Sequence, residues 1–219
     1  MCTIALAKVQ RNYNCYNVYF YECLRFKQKI CNFASINQRC KMMELNELIK
    51  DCSQRQKNGL HFIMASVVVW GLILIVHLMN ITIEQKNLFT FCCSAVLFPL
   101  AWMMSKVLNI DFEGKGNPLT KAGILFSINQ MLYILIAMWV YAAVPNKMLM
   151  VYSMIFGAHL MPFSWLYQSK SYLVMSIVIS ILSLIVGLIY PPYVLAILMV
   201  VIETVFSICL YIESKRFQS

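Results

Sequence analysis

Between Leu60 and Ile212 the sequence is a succession of six apolar stretches, at 60–80, 87–108, 119–144, 147–168, 171–190 and 192–212. An α-helix needs about 20 apolar residues to cross the ~30 Å hydrocarbon core of a bilayer. Each stretch is near that length, and short polar breaks separate them. In lipid the backbone must satisfy its own hydrogen bonds, which favours helices. The pattern predicts an all-α fold, an integral membrane bundle of six transmembrane helices. The lipid bilayer is its expected surroundings.

Composition supports the same class. Of 219 residues, 61% are hydrophobic and 12% charged, well away from the balance of a soluble domain. No polar break after Leu60 is long enough to hold a soluble catalytic domain. The net charge of +9 first suggests nucleic acid. Placing the charges removes that suggestion: seven of the eighteen Lys and Arg precede Met42, and most others lie in breaks on one side. That is a topogenic pattern, so no nucleic-acid partner is expected. Among the nine cysteines, Cys2, Cys15, Cys23, Cys31 and Cys40 lack the close pairs of a zinc site. Cys92, Cys93 and Cys209 lie within spans, where a thiol behaves as a small hydrophobe.

The chain divides into four parts. Residues 1–42 are rich in Asn, Tyr, Cys and Lys, without helical period, and read as a poorly ordered N-terminal extension. Met42 or Met43 is the expected start, with the preceding residues drawn from an upstream frame; a cytoplasmic tail is the alternative. Residues 43–59 place Leu45, Leu48, Ile49 and Cys52 at the spacing of an amphipathic, cytoplasmic helix. Residues 60–212 form the six-helix domain and 213–219 a cytoplasmic tail. Asn117-Pro118 reads as an N-cap with Pro at the first helical position of the third span. Pro191-Pro192 divides spans five and six.

Charge gives direction. With both termini inside, the cytoplasmic segments hold Lys50, Arg55, Lys57, Lys106, Lys115, Lys121, Lys170, Lys215 and Arg216, against Lys86 and Lys147 outside. The positive-inside rule therefore places the N-terminus and the C-terminus in the cytoplasm. Small residues recur along the spans, as with Ser176, Ser180, Ser183 and Gly187, and let helix backbones approach closely. Ala95, Leu97, Pro99, Ala101 and Trp102 have the same spacing as Ala158, Leu160, Pro162, Ser164 and Trp165. Pro99 and Pro162 each free a carbonyl one turn earlier and should kink their helices.

Glu203 stands near the centre of span six, with no charged residue nearby. A charged acid there costs about 3 kcal/mol on insertion scales. Its stripe, with Ala196 and Ser207, faces the bundle interior. It reads either as a proton or cation site or as a protonated structural acid bonded across helices. His159 lies at similar depth in span four, so a His–carboxylate pair is geometrically allowed. Asn129 and Gln130, with Tyr133 one turn on, carry polar groups into span three. Their amides need another helix or a polar cavity. His61 and His77 sit near span ends, where interface water is expected to reach them.

The chain has no His-Glu-x-x-His, no Gly-x-Ser-x-Gly and no phosphate-binding loop. Its three histidines are far apart in sequence. No catalytic residue, metal or cofactor is therefore expected, and enzymatic activity is not favoured.

Several blocks resemble a family of small, multi-pass bacterial membrane proteins of unknown function. They are Asn117-Pro118-Leu119 followed by Gly123, Asn129-Gln130 with Tyr133, and the run Gly157 to Tyr167 with Ser171-Tyr172. The resemblance covers roughly Met43 to Arg216. It implies a bacterial inner-membrane protein and lends no activity. It draws attention to His159, Pro162, Trp165 and Tyr167 but does not single out Glu203. The expected function is a small transporter or proton-coupled permease using intramembrane polar groups. A non-catalytic membrane subunit or modulator is the alternative, and a homo-oligomer or membrane-protein partner suits either.

Overall fold

The structure, a computed structural model, describes residues 44–112 and 117–216, the last without its side chain. The expectations for residues 1–42 and for residues 217–219 lie outside the described residues. The chain forms two units, Met1–Glu47 and Leu48–Ser219. In the first, residues 44–47 are described and are helical. Everything below concerns the second.

It is all helical among the described residues, with six helical stretches long and apolar enough to cross a membrane. Helix α1, residues 48–56, precedes the first crossing, α2 (Leu60–Leu78). The second crossing is α3 (Ile83–Ala95) continued by α4 (Leu97–Val107), and the third is α5 (Leu119–Ala143). The fourth is α6 (Met148–His159) continued by α7 (Met161–Leu166). The last two are α8 (Lys170–Ile189) and α9 (Pro192–Arg216).

Local chemistry sets these boundaries. Lys57, Asn58 and Gly59 all have positive φ, 46°, 54° and 69°, so α1 cannot run straight into α2. Asn and Gly are the residues that tolerate this region best. The second crossing starts at Ile83 rather than near Asn87. Thr82 and Gln85 form a reciprocal capping box that brings Lys86 and Asn87 into the helix. The Asn117 side chain accepts the Leu119 N–H at 2.9 Å and opens α5. Ser169 caps α8 by accepting from the Tyr172 N–H. The sixth helix runs to Arg216, past the expected end at Ile212, and Ser169 donates to Glu213 at 2.7 Å.

The second and fourth crossings are interrupted at Val96 and Leu160, three and two residues before Pro99 and Pro162. Proline has no N–H to give and its ring crowds the preceding turn. The N–H groups of Val96 and Leu160 turn to the tighter Cys93 and Gly157 carbonyls, both at 3.2 Å.

Six crossings return residues 48 and 216 to one end of the bundle. That end carries Lys50, Arg55, Lys57, Lys106, Lys121, Lys170 and Lys215; we term it the basic end. Lys86 and Lys147 lie at the other. Inside, α2 packs on α9, α4 and α3, while α6 packs on α8 and α5. Trp70 and Ile73 of α2 and Met199, Phe206 and Leu210 of α9 belong to the buried apolar core, where Trp70 meets Tyr152 and Phe156 of α6. Between apolar helices in lipid, this close packing is the main attraction. The serine-glycine stripe of α8 makes such approach possible. A Cβ on Gly157 would lie 2.9 Å from the Ser180 backbone nitrogen, and one on Gly187 would clash with Met150 Cγ.

Candidate functional site

On α9 the buried residues Leu195, Ala196, Met199, Ile202, Glu203, Phe206 and Leu210 repeat every three or four positions. They form one inward stripe, and Glu203 occupies its middle with no exposed surface. On α2 the corresponding stripe is Ile63, Ser66, Val69, Trp70 and Ile73. The two faces meet so that the Ser66 hydroxyl bonds the Glu203 carboxylate at Oε2. Ser66 Oγ is also 2.7 Å from the Ile63 carbonyl.

The other carboxyl oxygen, Glu203 Oε1, is buried and has no hydrogen-bond partner among the described residues. The hydroxyl oxygens of Ser176 on α8 and Ser207 on α9 are also buried without a partner among the described residues. Their level follows from the register of two antiparallel helices. Ser183 donates to Met199 Sδ at 3.8 Å, and the Tyr172 and Phe206 rings lie 5.0 Å apart. Ser176, between Ser183 and Tyr172, therefore stands at the level of Glu203, between Met199 and Phe206. Ser66, Ser176, Glu203 and Ser207 thus make a polar band in the half of the bundle nearer the basic end.

That band is followed, toward the basic end, by a second polar group. Tyr172 donates to the Asn58 carbonyl at 2.9 Å, and Tyr167 donates to Gln56 Oε1 at 2.7 Å. Ser53 donates to Asn58 Oδ1, and Lys57 donates to the Leu108 carbonyl at 2.7 Å. The left-handed turn at 57–59 is thereby clasped under the Tyr167 and Tyr172 rings. Toward the other end the stripe is apolar, with Trp70, Ile73, Leu195 and Met199 all buried.

The sequence-selected residues do not form one site. His159 is half-buried; its Nδ1 lies 2.6 Å from the Phe156 carbonyl and its ring packs against Phe156 and Phe163. No bond joins it to Glu203. The local carbonyl and the neighbouring aromatic rings hold it where it is. Asn129 and Tyr133 lie exposed on the outer side of α5, and Gln130 is half-buried. None of the three makes a side-chain hydrogen bond with a described residue. They do not cross-link helices among the described residues, because α5 offers the bundle its other side. There Ala137 and Val140 are buried and Phe126 meets Phe163 at 5.7 Å. His61 and His77 are buried rather than washed by interface water, and His77 Nε2 pairs with Thr90 Oγ1 at 3.2 Å.

Two contributors were not anticipated. Ser66 has no distinguishing sequence context; only the docking of α2 on α9 selects it. The Asn58 clasp has a signal, the Asn58-Gly59 pair that marks a turn. Among the described residues, no three His, Cys, Asp or Glu side chains gather as a metal site.

A family model described as a family of unknown function, DUF7010, matches residues 45–213. The chain belongs to this family. Its match takes in all six crossings, the Ser66–Glu203 bond and the Asn58 clasp. The membership agrees with the resemblance read from the short motifs and assigns no activity. Neither a curated protein nor a solved structure matches the chain.

Proposed function

We propose that this chain is a small multi-pass permease of a bacterial inner membrane that couples solute movement to a proton carried by Glu203. In this reading both ends face the cytoplasm, in keeping with the basic residues gathered at that end. The observation that carries it is the double contact of Ser66 Oγ, with the Ile63 carbonyl and with Glu203. A hydroxyl has one hydrogen to give. When Ser66 gives it to Glu203, the carboxylate is stabilised as an anion. When Ser66 gives it to Ile63, the contact with Glu203 is made by a proton on the carboxyl. One geometry serves both protonation states, so a proton can come and go without repacking α2 and α9. Ser176 stands level with Glu203, and Ser207, with Tyr172 and Asn58 beyond it, supplies polar groups between Glu203 and the basic end.

The test is collapse of an imposed pH gradient across proteoliposomes holding the full chain. The intact protein is expected to speed collapse over protein-free vesicles, and Glu203→Gln to return it to the vesicle rate while remaining folded. Equal rates for the two proteins would remove the proton from Glu203 and with it this reading.

The exposed Asn129 and Tyr133 favour a second reading, a non-catalytic membrane subunit that works through its outer helix faces. Under it the vesicles show no protein-dependent flux.

A further inference from the structure

We infer that the outer face of α5 is an interface between two copies of this chain, centred on Asn129. Asn129 is the eleventh residue of a 25-residue crossing, so it sits close to mid-membrane. Leu125, Asn129, Leu132, Tyr133 and Ile136 share one helix face by their spacing, and all five are exposed. An amide held against lipid tails has nothing to bond, and such a group is costly in hydrocarbon. Two hydroxyls on other crossings meet this need by bonding their own helix. Thr204 donates to the Val200 carbonyl at 2.7 Å and Ser164 to the Met161 carbonyl at 2.7 Å. Asn129 has no such bond.

The chemistry of the group selects the occupant. A carboxamide carries both donor and acceptor, so it is complementary to itself. Two copies related by a two-fold axis along the membrane normal bring one Asn129 to the other. Each then donates its N–H to the carbonyl of the other. The flanking Leu125, Leu132 and Ile136 supply the surface to pack around that pair, and Tyr133 adds a hydroxyl one turn away. The light attachment of α5 to its own bundle fits this arrangement, because its outer side is left free for a neighbour. The inference does not rest on the proton reading, since Glu203 is interior and Asn129 is on the outside.

Energy transfer between donor- and acceptor-labelled full-length chains in liposomes, followed as the protein-to-lipid ratio falls, reads the pairing. Intact chains are expected to associate. Asn129→Leu should weaken association by about tenfold, Asn129→Gln should restore most of it, and Ile181→Ala on the outward side of α8 should leave it unchanged. Circular dichroism separates lost pairing from lost fold. Association of Asn129→Leu as tight as that of the intact chain overturns the inference. So does an intact chain that stays single at every ratio, the result expected if a different membrane protein occupies this face.

Discussion

Ser66 on α2 and Glu203 on α9 lie 137 residues apart and bond each other in the interior of the bundle. Both are buried, and the bond ties the first crossing to the last. Removing one partner therefore differs from removing both. Ser66→Ala leaves Glu203 with neither oxygen bonded to a side chain and should cost about 1–3 kcal/mol. Adding Glu203→Leu to that variant removes the stranded acid and should recover part of the loss. Reversible unfolding in mixed micelles measures both. A double variant weaker than Ser66→Ala alone would show that the acid supports the fold through something other than this bond.

Charge reversal at the same place is more severe. Glu203→Lys introduces an ammonium against Ser66, with apolar Met199 and Phe206 on the same stripe. A cost of about 3 kcal/mol or more is expected from insertion scales. The variant should accumulate poorly in membranes, while Glu203→Gln accumulates normally. Quantitative immunoblotting of membrane fractions distinguishes them.

Two glycines on different helices should respond oppositely to alanine. At Gly157 an added Cβ meets the Ser180 backbone at 2.9 Å, so α6 and α8 must separate. A loss of about 1–3 kcal/mol is expected. At Gly71 an added Cβ meets nothing within 4 Å. Alanine there removes the flexibility of a mid-helix glycine and should add about 0.5–1 kcal/mol. Thermal denaturation in detergent reads both signs.

The turn between α1 and α2 is open to the same kind of test. Gly59 has φ 69°, and a Cβ would lie 3.0 Å from Tyr172 Oη. Gly59→Ala should cost about 1–2 kcal/mol from the left-handed backbone alone. It should also loosen the Tyr172–Asn58 bond. Faster hydrogen exchange confined to residues near 56–60 is the expected signature.

Asn117 bridges two elements. Its amide nitrogen donates to the Leu48 carbonyl at 2.8 Å and to Asp51 at 2.9 Å, while its oxygen caps Leu119. Asn117→Ala should lose about 1 kcal/mol for the cap, and it frees α1 from the start of α5. Proteolysis near residues 109–112 should accelerate in the variant, with the crossings still protected.

The sequence by itself determined the medium, the class and the count of crossings. Apolar length is a local property, and a bilayer admits few backbone solutions to it. Asn117-Pro118 and Pro191-Pro192 were legible for the same reason: caps and breaks are decided by neighbours in sequence. The acid at Glu203 was legible because it violates an apolar run. What surrounds it was not. Ser66 became its partner only when α2 docked on α9, and His159, at similar depth, was held by Phe156 and its neighbouring rings instead. The amide of Asn129 calls for a partner in the sequence, but only the fold turns it outward. Periodicity gives a helix its faces, but which face meets a neighbour depends on contacts between segments far apart in the chain.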